Sequence, residues 1–528
     1  MVEAPERAVV SPGKVLLAVC SSITFIGINT TAMNTIVGDI AVEFDMSTTT
    51  VAWAVSGYLL AAAAFVAPAG QLGDVFGRKR MFAIGLALFA LSSIVIAASP
   101  NAGMLILGRV LQGTASALLM PSQLAILRLV YPPEKQGMAI GAWAATAAAM
   151  FALGPLYGGV IADSIGWEWM FWFDLVLVGA SAVLAWRYIR PIAEHRSGKK
   201  PDWLGAALLA GAIFAFVLAV QQGEDWGWTS VAVLGSFAVA VVLAVTFWFV
   251  EHHTNDPLVH FKLLRTKPYL AGVITTFAQG FGLLAFLYFI AIYAESFATY
   301  DASPLDAGLL LLPGGLVMFV CALVGGRAAD KIGYRGPNTL AMLLMFVGAL
   351  VLMVVGADTP EWVLALLGCV AAAGVGIGFS TTSAAGMAAI EQEVSGEAAG
   401  VINVARYLGA VLVVALGTIV MLQVSESRLT SSLDDAGISA TETIDLDQAM
   451  SQTSTELAHT IDEVAPGQQA EVQSLVTDAT ADGFRGAQLM TAVVMLGATI
   501  ASWVLLRGEK ARAPAFPHRG PVVHAVSR

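Results

Sequence analysis

The chain reads as an all-α integral membrane protein. Of its 528 residues, 57% are hydrophobic and only 12% are charged, about half the charged share of a soluble domain. Mean hydropathy is +0.76. The apolar residues come in runs of about twenty, each long enough to cross ~30 Å of hydrocarbon as a helix. Alternating ten-residue segments, the mark of an outer-membrane barrel, do not occur.

The elements follow in order. Lys14 precedes a first run at 15–37. Further runs fall at 51–72, 81–99, 104–128, 137–161, 170–188, 203–222, 231–250, 269–296, 304–326, 338–356, 362–388, 398–422 and 486–506. That gives about fourteen transmembrane helices. The first run ends in a polar turn rather than a small-residue cleavage site, so it reads as a retained helix. With the N-terminus inside, the cytoplasmic connections carry Arg78, Lys79 and Arg80, then Arg128 and Lys135, then Arg187 to Lys200, Lys262, Arg265 and Lys267, and Arg327, Lys331 and Arg335, with the tail from Arg507. Only Arg428 and Arg485 fall outside. Cations mark the cytoplasmic side, so both termini are expected there.

Much of the formal charge of −11 lies in one outer segment, 425–484. A short helical hairpin about Pro466-Gly467 is expected there, capping the outer face. The tail, "APAFPHRGPVVHAVSR", has the composition of a disordered segment. No basic stripe with interleaved aromatics suggests nucleic acid. Cys20, Cys321 and Cys369 sit inside apolar runs and read as small buried hydrophobes, with no disulfide framework and no metal-ligand spacing. No cofactor is expected. There is no phosphate-binding G-x-x-x-x-G-K-[ST], and the glycine-rich 374–378 has no strand before it. His252, His253 and His260 fall in a cation-rich cytoplasmic loop, so no enzyme site is expected either.

Three motifs carry mechanism. "GQLGDVFGRKR" (70–80) sets Asp74 before Gly77 and three cations, and "GGRAADKIGYR" (325–335) repeats it with Arg327, Asp330 and Gly333. An acid at a helix end can bond to an arginine in one conformation and release it in another. Two copies, one in each half, suggest a duplicated architecture of the kind found in rocking transporters. "LGRVLQGTASALLMPSQ" (107–123) places Arg109 in an apolar helix with Gln112 one turn on. An arginine within a span is costly unless it is paired or faces water. In "ALGPLYGGV" (152–160), Gly154, Pro155, Gly158 and Gly159 break the fifth span and let another helix approach closely.

The order of these motifs resembles the major facilitator superfamily, in its fourteen-helix branch of drug:proton antiporters. "WAVSGYLLAAAAFVAPAG", "PLDAGLLLLPGG" and "GEAAGVINVARYLGAVL" add to the resemblance, which covers nearly the whole chain. It implies a cytoplasmic segment 1–14, a six-helix bundle over 15–190, and a loop with two linking helices over 191–265. A second six-helix bundle over 266–506, carrying the outer segment, and a cytoplasmic tail 507–528 follow. By the resemblance, Asp74 and Arg78 form a conformational latch, Arg109 takes part in proton coupling, and Gly154, Pro155, Gly158 and Gly159 form the hinge.

The chain departs from the family pattern at its acids. Asn29 stands in "GINTTAMNTIV" where the family usually has an acid, and an amide carries no proton. Glu168 and Asp174 appear in "WEWMFWFD", and Glu295 stands where a glutamine is common. Asp174 or Glu295 is therefore the expected proton carrier, with Arg109. Asn29, Gln112, Trp143, Tyr157, Phe281, Phe286 and Tyr288 are candidates to line a cavity. Trp53, Trp167, Trp169, Trp226, Trp228 and Trp362 are expected in the interfacial belt.

The expected function is proton-driven export of lipophilic small molecules by alternating access, with membrane lipids around a monomer in a bacterial cell membrane. A dedicated metabolite, peptide or lipid carrier and a transport-inactive scaffold or sensor remain alternatives.

Overall fold

The computed structural model describes residues 11–435 and 469–507, apart from 45, 47, 190–200, 255, 256, 260, 297, 298, 301, 303, 357, 389 and 391–394. The N-terminal ten residues, the Pro466-Gly467 turn, His260 and the tail from 508 lie outside them.

Among the described residues, fourteen helices are long and apolar enough to cross a membrane. They are Pro12–Glu43 (α1), Thr48–Phe76 (α2), Arg78–Ala97 (α3), Ala102–Val130 (α4), Pro133–Ile165 (α5), Glu168–Tyr188 (α6), Trp203–Gln221 (α7), Val231–His253 (α8), Lys267–Glu295 (α9), Pro304–Ile332 (α10), Arg335–Leu352 (α11), Glu361–Met387 (α12), Ser395–Asp435 (α13) and Gln469–Leu505 (α14). No strand occurs among the described residues.

The helices pack as a repeated unit. In the first half α1 packs on α5 and α6, α2 on α4, and α3 on α4 and α6. In the second half the same pairs recur eight helices on: α9 with α13 and α14, α10 with α12, and α11 with α12 and α14. The two units meet along α5–α10 and α2–α13, which are themselves equivalent pairs. The repeated loop motif is matched in the backbone. Gly77 (φ 102°) and Gly333 (φ 81°) both occupy the left-handed region, where a side chain would be strained, and each turns its chain into the next helix.

Helices α7 and α8 pair with each other outside the two units. Only 17% of the apolar stretch of α8 is buried, against 72% in α2 and α9, which puts it at the lipid. Asp202 caps α7 by accepting from Gly205 N–H (2.8 Å), and its own N–H donates to Gln71 Oε1 (3.0 Å), tying this pair to α2.

Several expectations change in detail. The expected hairpin about Pro466-Gly467 lies outside the described residues. On either side of it α13 and α14 continue into the segment 425–484, and Asp482 joins Arg428 (3.3 Å) and Arg485 (2.7 Å) between and along them. His252 and His253 close α8 rather than lying in a loop. The three cysteines are half-buried. Trp169, Trp226 and Trp362 are exposed as a lipid-facing belt requires, but Trp167 is buried and donates to Glu43 Oε2 (2.6 Å), and Trp53 packs against Phe214.

Helix contact rests on glycine. A Cβ added to Gly113 would overlap the Tyr58 carbonyl of α2, and one added to Gly376 would overlap that of Met318 in the equivalent α12–α10 pair. Gly113→Ala should therefore destabilise the protein by about 1–3 kcal/mol, measured as a lower unfolding temperature in detergent. Gly179→Ala, where nothing lies within 4 Å, should leave it unchanged. Equal unfolding temperatures for the two variants would contradict this packing.

Candidate functional site

The site is built in the half of the first unit away from the Arg78–Arg80 loop, from five helices. Arg109 on α4 is 1% exposed, so it does not reach the interface. Its Nε donates to the Ala54 carbonyl of α2 (3.1 Å), its guanidinium lies 4.7 Å from the centre of the Tyr58 ring, and its Nη1 donates to Gln112 Oε1 (2.6 Å). Gln112 Nε2 donates to Asn29 Oδ1 on α1 (3.3 Å). Asn29 Nδ2 donates to Asp174 Oδ1 on α6 (2.8 Å), and Ser93 Oγ on α3 donates to Asp174 Oδ2 (3.1 Å). Asn29, Gln112, Ser93 and Asp174 are fully buried.

The chain of bonds has a direction. Each step donates toward the carboxylate, from guanidinium to amide to amide to Asp174. One positive and one negative charge thus face each other across two side-chain amides whose dipoles point the same way. Either charge alone would be costly in this setting, and each offsets the other. A second branch runs from Thr30 Oγ1 to Tyr58 OH (3.3 Å) and from there to Ser116 Oγ (2.9 Å).

The chemistry of position 29 follows. A bridging residue must accept from Gln112 and donate to Asp174 at once. An amide does both, while a carboxylate only accepts. Asn29 is therefore the partner that a carboxylate at 174 requires.

The other candidates fall in different places. Asp74 and Arg78 form a buried ion pair across the α2–α3 turn. Gly154 and Gly158 press α5 against α1 at Ile28, Thr31 and Ala32, while Pro155 and Leu156 meet Gly308 of α10 at the boundary between units. Gly159 is buried beside them. Trp143 is fixed in the first unit, donating to Gln123 Oε1 (2.8 Å), whose Nε2 donates to Ser22 Oγ (2.8 Å). In this structure it packs in the core. Phe281 and Phe286 are buried in the core cluster. Tyr288, half-buried, bonds to Thr418 Oγ1 (3.3 Å), and Tyr157 is half-buried. Arg327 and Asp330 of the second loop motif are exposed, whereas the side chains of Asp74 and Arg78 are buried. Glu295 ends α9, and its side chain lies outside the described residues. Sequence reading missed Ser93 and Tyr58. One is a serine in an ordinary apolar span, and the other is an aromatic among many.

Two equivalent bundles meeting at glycine-rich faces, with a buried charge chain in one of them, form a membrane transporter rather than an enzyme. The chain belongs to the Major Facilitator Superfamily, whose family model matches residues 17–414. It is 30% identical over 407 residues to Multidrug resistance protein 3 of Bacillus subtilis, covering 77% of each chain. It is 34% identical over 334 residues to the Tetracenomycin C resistance and export protein of Streptomyces glaucescens, covering 63% of this chain and 62% of that one, under two thirds of its length. The Methylenomycin A resistance protein of Streptomyces coelicolor is 29% identical, with 80% of this chain and 89% of that one covered. In fold, the chain is similar to the proton:xylose symporter XylE, with a TM-score of 0.58 at 14% identity, over 92% of this chain and 95% of that one.

Removing the amide bridge leaves Gln112 Nε2 and one oxygen of Asp174 buried without partners. Asn29→Ala should cost about 1–3 kcal/mol for each group stranded, read as a lower unfolding temperature. Asn29→Asp should destabilise too, by setting a second carboxylate against Asp174. Wild-type stability in both variants would dismiss the bridge.

Proposed function

We propose that this chain exports lipophilic small molecules across a bacterial cell membrane in exchange for protons, by alternating access. The units 15–190 and 266–506 rock against each other, and 191–265 connects them. Both termini face the cytoplasm, as the cation distribution favours. Because both unit boundaries form within one chain, a monomer suffices. The names of the relatives, which are resistance and export proteins, support the choice of substrate class.

The observation that carries proton exchange is Asp174: a fully buried carboxylate bonded to Asn29 and Ser93 and joined through two amides to Arg109. Protonation of Asp174 removes the negative end of the chain and leaves Arg109 uncompensated. That favours a conformation in which Arg109 meets water, and release of the proton favours the return. Proton occupancy and bundle position are thereby linked. Asp74 and Arg78 bias the same equilibrium from the cytoplasmic face.

The test is substrate-driven proton movement in proteoliposomes. Asp174→Asn and Arg109→Ala should abolish it, while Glu295→Gln should retain it. The exchange Asn29→Asp with Asp174→Asn returns one carboxylate to the chain on α1 and should restore part of the proton movement. Full coupling in Asp174→Asn, or its loss in Glu295→Gln alone, would remove Asp174 from the mechanism.

A further inference from the structure

Buried polar groups in the second unit are of two kinds. Asn338 has its bonds made. Nδ2 donates to Thr275 Oγ1 (3.3 Å) and Ser502 Oγ (3.2 Å), and Oδ1 accepts from Thr381 Oγ1 (3.1 Å). The unit can therefore satisfy an amide in its core. Where α9 crosses α12 and α13 it does not. Thr276 Oγ1, both terminal atoms of Gln279, Asn403 Oδ1, and Nε and Nη1 of Arg406 are all buried with no hydrogen-bond partner. These residues lie at one crossing. Gly280 abuts the backbone of Arg406, Gly409 abuts that of Phe277, and a Cβ on Gly378 would stand 3.1 Å from Gln279 Cγ.

Arg406 is the charged member. It is 5% exposed and about two turns inside its span. Nη2 donates to Ser383 Oγ (2.6 Å), and the guanidinium lies 5.6 Å from the centre of the Phe379 ring. Among the described residues of α9 to α14 it is the one buried charged side chain, so no carboxylate of that unit offsets it. This differs from Arg109, which Asp174 balances. A buried charge with unfilled donors is costly, and native structures keep such a group where something else fills it. Ser383 also lines a cavity between the units with Leu124, Ala125, Arg128, Ile140 and Met387. The guanidinium is thus one hydrogen bond from the boundary that opens in alternating access.

We propose that Arg406, with Gln279 and Asn403, is the polar end of the substrate site and takes an anionic group, a carboxylate or phenolate, on an otherwise lipophilic compound. The transport of that compound rests on the exporter reading above, while its binding does not. Arg406 supplies charge-assisted donors. Gln279 offers a donor and an acceptor, and Asn403 an acceptor, for neutral polar groups beside the anion. The apolar body of the compound would lie toward Phe379 and its stacked partner across the boundary, Phe151, with ring centres 6.0 Å apart.

The test uses the full chain in phosphatidylcholine nanodiscs, so that no anionic lipid competes. The probes are 1-pyrenebutyric acid and its methyl ester, which differ by the charge and one methyl group and report binding by their own fluorescence. The acid should bind about ten- to a hundredfold more tightly than the ester, the range of one charged hydrogen bond. Arg406→Gln should bring the acid to the level of the ester, and Arg406→Lys should keep part of the preference. Unfolding temperatures of both variants exclude simple misfolding. Equal binding of acid and ester, binding of neither, or a preference that survives in Arg406→Gln overturns the proposal. Proton-release assays on the same protein separate the two readings. Selective acid binding without any proton movement leaves the anion site standing and removes the exchanger. Proton-coupled export together with equal binding of acid and ester does the reverse.

Discussion

Inside a bilayer a helix gains little by burying leucine against leucine, because lipid is equally apolar. The units hold together instead through close backbone approach and internal polar bonds. Gly113 against Tyr58, Gly154 against Ile28, Gly376 against Met318 and Gly409 against Phe277 repeat this device at equivalent helix crossings of both halves. The boundary between units uses it too, at Gly400 against Ala67 and Gly141 against Ala322 and Gly326. Such contacts need no hydrogen bond between side chains, so they separate without stranding a donor or acceptor. A transporter that rocks requires boundaries of this kind, and the sparse polar links across them, such as Arg128 Nη2 to the Met387 carbonyl (2.9 Å), are few enough to exchange for water.

Within the first unit the same solvent forces the opposite solution. Arg109 and Asp174 cannot be left alone in hydrocarbon, yet they sit on helices too far apart for a direct ion pair. Two amides, Gln112 and Asn29, close the gap with bonds that all donate one way. An indirect pair of this kind holds both charges while keeping the carboxylate free of a cation's full hold. A change of charge at one end is then felt at the other through a chain that either holds or breaks.

Much of this was legible in the sequence. Fourteen apolar runs, a repeated loop motif and a glycine-proline break required only lengths and residue types, and Gly77 and Gly333 share a left-handed backbone as their repeat implied. Asp174 and Asn29 stood out as departures from a pattern. Their contact did not, because 145 residues separate them and nothing in spacing reports which faces of α1 and α6 meet. The placement of the cavity aromatics was hard to read for a related reason. Trp143, Phe281 and Phe286 are the residues one expects at a lipophilic site, but an aromatic ring fits a tightly packed helix interface equally well, and Trp143 is held there by its bond to Gln123. The sequence did not show how far α13 and α14 extend past their apolar stretches, where their polar turns still pair along and between helices.

The two halves share a fold but divide the polar work unevenly. In the first, every member of the Arg109 chain is satisfied from within, and the charges balance without any ligand. In the second, Asn338 is saturated, while Gln279, Asn403 and Arg406 have donors and acceptors left over. On the proposed exporter reading, one unit holds the driving ion and the other registers the cargo. On this reading the duplication supplies the motion, and the departure from symmetry supplies the exchange. An internal carboxylate, Asp174, balances Arg109 in one unit, while among the described residues of the other no buried carboxylate accompanies Arg406.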